Sequence, residues 1–222
     1  MHWKWWLLLP PIIAVLVFFT YEGWGFWLSA GFFSLVLPLA FYFYQQDNRN
    51  LTAVMKPLAV RYGGTLRAGS PMSYPQLAFE TNGRRCAVHA MPSGGANAKP
   101  GPFTSVRLTL SSDSGLQAGI RRTPKRVRGV VAALAPDWQA TTGDEAFDQA
   151  FRLEGRDQES LAELLDAPFR ARLLETQLPE LNLEFRGGEI VVFVSELAKT
   201  TADLEEMIEL AGELADRTVT PV

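Results

Sequence analysis

Apolar positions are arranged along this chain in three ways: unbroken runs, period-two alternation and helical stripes. The unbroken runs come first, Trp5 to Tyr21 and Trp24 to Tyr44, with little more than Glu22 and Gly23 between them. As a helix, the 21 residues of the second run extend roughly 31 Å, matching a hydrocarbon core of about 30 Å. The first run has 17 residues, the lower limit of spanning length, and Pro10 and Pro11 predict a kink near its start. Trp3, Trp5 and Trp6 at one end, and Tyr21, Trp24 and Trp27 at the other, mark headgroup depth. The pattern predicts a two-helix transmembrane hairpin over 1–46. No ionisable residue lies within either run, so the hairpin reads as an anchor and not as an ion or proton path. Lys4 before the runs and Arg49, Lys56 and Arg61 after them predict an inner (plasma) membrane location with both termini cytoplasmic. Two other readings are a cleaved signal peptide, against which Leu28-Ser29-Ala30 lacks a small-x-small site, and a hairpin confined to one leaflet.

Residues 47–222 mix the other two patterns and predict an α+β domain of antiparallel hairpins and packing helices. Leu51, Val54, Met55, Leu58, Ala59 and Tyr62 have helical spacing, with Pro57 expected to kink or divide the helix and Gly63-Gly64 to stop it. Asn82-Gly83 between two β-like runs predicts a type I′ hairpin. Its register pairs Thr81 with Arg84, Phe79 with Cys86, Leu77 with Val88 and Gln76 with His89, leaving Leu77, Phe79, Cys86 and Val88 on one face. Strands follow over Phe103 to Ser111 and Leu116 to Arg122. Thr123-Pro124 opens a helix with a Val127, Val130, Val131 and Leu134 stripe, ended by Pro136. Residues 138–154 predict a short strand, a helical turn capped near Asp144 and another strand. A helix comes next that begins at Asp157 or at Ser160, where Ser160 and Glu163 form a capping box, then one capped by Asp166 with Pro168 in its first turn. A hairpin turns at Gly187-Gly188, and a last helix buries Leu204, Met207, Ile208, Ala211, Leu214 and Ala215.

Charge alters this picture more than composition does. Residues 45–130 hold 13 Lys+Arg against 3 Asp+Glu, whereas 131–222 hold 7 against 20, so a formal net charge of -3 conceals a long dipole. The domain therefore reads either as one unit or as a basic 47–136 part and an acidic 137–222 part. Five bases, Arg121, Arg122, Lys125, Arg126 and Arg128, crowd the expected helix start, the positive end of a helix macrodipole. They are candidate contacts for anionic lipid headgroups or a protein partner, with a solvated cluster paired to the acidic half as the plainer reading. The acidic face of the last helix, Glu205, Glu206, Glu209, Glu213 and Asp216, either keeps the domain soluble or recruits a basic protein. No aromatics interleave with the bases, so nucleic acid is not expected.

Little catalytic chemistry is legible. One Cys and two His exclude a disulfide framework and a Cys/His zinc site, and no cofactor motif is present. Gly94, Gly95 and Lys99 lack the Gly-Lys-Ser/Thr of a phosphate loop. Alternation sends Cys86 and His89 to opposite faces, which removes them as a nucleophile and base pair. Asp144, Glu145 and Asp148 lack the alternating ligands of a calcium loop and read as caps.

Gly143, Asp144, Phe147, Asp148 and Phe151, followed by the Gly155 turn and the helix ending in Arg172, Leu173 and Leu174, carry one resemblance. The segment resembles a broad group of uncharacterised bacterial membrane proteins with two N-terminal spans and a soluble domain bearing Gly-Asp-x-x-Phe-Asp-x-x-Phe. The likeness covers residues 110–215 and, more loosely, the anchor. It implies a shared architecture and transfers no catalytic residue. Two functional readings follow: a membrane-anchored, noncatalytic binding or scaffold module in contact with the lipid bilayer, and a membrane-bound enzyme acting on lipid or envelope precursors through residues gathered only by the fold.

Overall fold

The structure, a computed structural model, describes residues 25–70, 73–93, 100–123 and 140–219. It opens on α1 (Gly25–Arg61), 37 residues of continuous helix. The expected two-helix transmembrane hairpin is corrected here. Its first run, Trp5 to Tyr21, lies outside the described residues. Its second run is no separate arm, because Gln45, Gln46, Asp47, Asn48, Arg49 and Asn50 contain neither Gly nor Pro and the hydrogen-bond ladder continues through them to Arg61. Among the described residues no helix is long and apolar enough to cross a membrane. Nor does Pro57 divide α1. The carbonyl of Ala53, which loses its donor there, sits on an exposed turn where water can serve it.

The chain divides into two compact units at Arg49/Asn50, inside α1. In the N-terminal unit, the described part of the helix leaves Leu37, Leu39, Phe41, Tyr42 and Phe43 exposed. The second unit is built on one antiparallel sheet of β1 (Thr65–Arg67), β2 (Gln76–Thr81), β3 (Arg84–Ser93), β4 (Pro100–Thr109), β5 (Ala118–Arg122), β6 (Phe151–Gly155), β7 (Asn182–Arg186) and β8 (Glu189–Val194). The strand order is β1-β2-β3-β4-β8-β7-β5-β6. Sequence alternation foresaw the β2–β3 register pair for pair, with Asn82 and Gly83 at φ 51° and 71° in the turn. Strands from the basic and acidic halves are interleaved in this one sheet.

One row of apolar side chains crosses all eight strands: Leu66, Leu77, Val88, Val106, Val192, Leu183, Ile120 and Leu153 are successive cross-strand partners. From Leu77 onward every member is buried. A second row runs Phe79, Cys86, Leu108, Ile190 and Phe185. Their face is covered by the helices α2 (Glu145–Ala150), α3 (Gln158–Leu164), α4 (Ala167–Glu175) and α5 (Thr201–Val219). Phe147 of α2 stacks on Phe151 at 4.9 Å, and the foreseen stripe of α5 is fully within the core. Residues 50–61 of α1 join that layer through buried Leu51, Met55 and Leu58, a hydrogen bond from Thr201 Oγ1 to Val54 O (3.0 Å) and Tyr62 stacked on Phe79 (4.5 Å). The described residues of the domain thus form a sheet layer and a helix layer, an α+β arrangement. The expected helix from Thr123-Pro124 to Pro136 lies outside the described residues.

Two local expectations are also corrected. Residues 140–142 form no strand before the Asp144 cap. Of the two expected starts the helix takes Asp157, so α3 begins at Gln158, Ser160 lies inside it and the Ser160/Glu163 box is not formed. Its N-cap is Asp157, whose carboxylate instead accepts from the Gln117 backbone N–H (2.8 Å).

Candidate functional site

The five candidate bases do not form one described surface. Arg121 and Arg122 sit on β5, and Lys125, Arg126 and Arg128 lie outside the described residues. Period two sends the first two to opposite sides of the sheet. Arg121 is exposed and lies 3.3 Å from Glu154. Arg122 shares the helix-covered side with Ile120, and its guanidinium donates to the carbonyls of Leu173 (2.9 Å), Thr176 (3.0 Å) and Leu178 (3.1 Å). It also lies 5.1 Å from the centre of the Phe151 ring. A cation against the last carbonyls of α4 satisfies acceptors that the helix leaves open and meets the negative end of its dipole. Arg122 is therefore tied to the interior of its own domain.

The Gly-Asp-x-x-Phe-Asp-x-x-Phe segment has the same structural character. Asp144 Oδ1 caps α2 by accepting from Phe147 N (3.2 Å), and Oδ2 receives Arg170 Nε (3.4 Å). Asp148 accepts from both the backbone N–H and the hydroxyl of Thr142 (3.0 and 2.9 Å). Phe147 and Phe151 are buried and stacked, with Arg122 over the second ring. Gly155 has φ +106°, and a Cβ there would collide with the Gln117 carbonyl, so only glycine fits the turn. Among the described residues no group of His, Cys, Asp and Glu is arranged to hold a metal ion.

The acidic face of α5 meets bases of its own chain. Glu205 pairs with Arg61, Glu209 and Glu213 with Arg172, and Asp216 with Arg84. Arg217 reaches Asp166 (2.9 Å), lies 4.8 Å from the Phe169 ring and also pairs with Glu213. Arg170, Arg172 and Arg217, to none of which the sequence pattern gave a pairing role, tie α2, α4 and α5 together. The pairs with Asp144, Glu209, Glu213 and Asp166 that join separate helices lie far apart in sequence, which hid them.

Cys86 is buried, and desolvation pushes its thiol up to about 12, so it stays protonated near neutrality. His89 lies on the other face, and burial, then the nearby Arg107 charge, lower its pKa against a smaller opposing effect of Glu189. A cavity of about 260 Å³ opens between the α4–β7 loop, at Gln177, Leu178 and Pro179, and the β8–α5 connection, at Glu196 to Lys199. Its charged groups are engaged. Lys199 Nζ donates to Glu196 (2.6 Å), which with the Asp203 charge raises the lysine's pKa against slight burial. Asp203 Oδ2 accepts from the backbone of Lys199 and Thr200 (3.0 Å each), capping α5.

Among the described residues the chain offers a helix-backed antiparallel sheet and an exposed apolar stretch of α1. Among solved structures, the crystal structure of the mycobacterial trehalose monomycolate transport factor A is similar, with 10% identity and a TM-score of 0.54. The match covers 78% of this chain and 98% of that one. At that identity the likeness is one of fold. No family model and no curated protein matches the sequence.

Proposed function

We propose that the protein is a membrane-associated, noncatalytic binding or scaffold module for lipid-like partners. The observation that carries this reading is the exposure of Leu37 (61%), Phe41 (49%), Tyr42 (61%) and Phe43 (43%) on one short length of α1. Successive helical positions turn by about 100°, so these side chains point to all sides of the helix axis. A helix that docks in a protein groove buries one stripe, whereas one that is apolar all round needs an apolar medium. Transfer of each large apolar side chain from water contributes about 1.5–3 kcal/mol. The fold's likeness to a transport factor named for trehalose monomycolate supports a lipid-like ligand. The cavity acids are taken up by Lys199 and by the N-terminus of α5, so no specific observation favours the enzyme reading.

The test is flotation of the full chain with phosphatidylcholine vesicles, alone and with added phosphatidylglycerol. The chain is expected to float with both, and the Leu37→Ser, Phe41→Ser, Phe43→Ser variant to lose at least nine-tenths of that recovery. Equal recovery of the two proteins would sink the reading. A stronger dependence on phosphatidylglycerol, removed by neutralising Lys125, Arg126 and Arg128, is the outcome expected for anionic headgroups as partners of the basic cluster.

A further inference from the structure

We propose that Arg121 of β5 and Arg152 of β6 together bind a phosphate oxyanion at one end of the sheet. The two are cross-strand partners in register, next to the buried pair Ile120 and Leu153, so alternation sends both side chains to the side away from that pair. Cross-strand partners on one face stand about 5 Å apart at Cβ, close enough that like charges repel. Here two guanidiniums oppose each other. The one acid in contact with either, among the described residues, is Glu154, two residues along β6 and 3.3 Å from Arg121. Arg152 has no ion pair among the described residues, and the strand order ends at β6, so no further strand supplies one. Glu154 answers one of two positive charges, and the group stays net positive.

This corner is open to solvent, because the Arg121 and Glu154 side chains are 54% and 40% exposed. A guanidinium offers its donors as a planar fork that matches the spacing of phosphate oxygens, and its bonds to an oxyanion are roughly twice as strong as neutral ones. The acceptor oxygens of one phosphate are enough to meet both forks, whereas the two of a carboxylate are taken up by a single fork. An oxyanion between the arginines therefore replaces one repulsive contact with two attractive ones and leaves Glu154 beside Arg121. A lipid headgroup and free inorganic phosphate share this chemistry. The site goes beyond the membrane-associated reading and does not require it, since free phosphate reaches it from solution.

The experiment treats the full chain, with phosphatidylcholine vesicles present, with the arginine reagent phenylglyoxal and maps the adducts by peptide mass spectrometry. One arm adds millimolar inorganic phosphate, the other adds phosphatidic acid to the vesicles, and sodium chloride at matched ionic strength is the reference. Adducts on Arg121 and Arg152 are expected to fall roughly fivefold or more in at least one arm, while those on Arg85, exposed on β3, stay constant. Protection by inorganic phosphate assigns the site to a soluble phosphate, and protection by phosphatidic acid alone assigns it to a headgroup. Protection in neither arm, or equal protection of Arg85, would overturn the site. Arg121→Gln is expected to abolish the protection of Arg152, and undiminished protection in that folded variant would overturn the shared role. The comparison of arms on the unsubstituted protein holds whether or not the variant folds. Flotation scores the membrane reading separately: a chain that floats without protection loses the phosphate site alone, and one protected by inorganic phosphate without floating loses the membrane reading alone.

Discussion

Arg122 shows what a single side chain settles in this protein and what sequence proximity conceals. Within a run of five bases it looks like one more surface charge, yet its acceptors are the carbonyls of Leu173, Thr176 and Leu178, more than fifty residues away. Local alternation was enough to place Cys86 and His89 on opposite faces, because the β2–β3 hairpin closes over a two-residue turn and its register is a matter of counting. Nothing local could disclose the carbonyls at the end of α4. Removing the guanidinium strands acceptors in a part-buried setting, where hydrogen bonds to a charged donor contribute about 1.5–3 kcal/mol each and do not add simply. Arg122→Met is therefore expected to destabilise the domain by about 3 kcal/mol in urea unfolding of the full chain. Arg122→Lys should regain less than half of that loss, since an ammonium cannot span several carbonyls as a planar fork does. A loss below about 0.5 kcal/mol for Arg122→Met would return the residue to the surface cluster.

At the scale of elements, legibility followed the capping chemistry. Asp166 and Pro168 predicted the start of α4, and the structure has Asp166 Oδ1 accepting from Phe169 N at 3.0 Å. Ser160 and Glu163 fitted a capping box equally well on paper, but Asp157 begins α3 a turn earlier while holding Gln117 of the strand β5 connection. A motif fixes a cap only when tertiary contacts do not offer the chain an earlier one. The Asp166 carboxyl is held below its ordinary value of 3.8, first by the Phe169 N–H and then by Arg217, with slight burial opposing. Its folded pKa is depressed, so the stability it contributes is fully present above about pH 3.8 and is lost as pH falls through the lower folded value. Asp166→Ala should cost about 1 kcal/mol at pH 7. Asp166→Asn keeps a competent cap and loses only the exposed Arg217 pair, for a smaller cost. The wild-type advantage over the Asn variant should shrink as the carboxylate protonates below pH 3.8; an advantage that stays constant however far the pH is lowered in the folded protein would assign it to something other than this carboxylate.

For the whole molecule, the sequence showed that its halves carry opposite charge, and the sheet shows how they meet. Interleaving β8 and β7 between β4 and β5 sets Arg107 beside Glu189, the β5–β6 pair sets Arg121 near Glu154, and α5 packs on the sheet to bring Asp216 to Arg84 and Glu205 to Arg61. The two halves therefore share one core, and the dipole is folded onto itself. Which acid meets which base depends on strand order, and an order with the β7–β8 hairpin inserted between β4 and β5 is not written in local periodicity. Most of these pairs are exposed and each contributes about 0–1 kcal/mol. Arg84–Asp216 differs, because the Arg84 side chain is only 10% exposed although Asp216 is 64% exposed. One partner is largely withdrawn from salt and the other is not, so the pair should be screened only in part. A double-mutant cycle with Arg84→Met and Asp216→Asn is expected to give a coupling of about 1 kcal/mol at low salt that retains more than half its size in 0.5 M NaCl. The same cycle on Arg121→Met and Glu154→Gln, where both partners are exposed, should give about half as much coupling or less and lose nearly all of it in that salt. If the two pairs respond alike, burial of Arg84 does not govern its pairing, and the ion pairs between the halves are a consequence of the fold with no part in holding it.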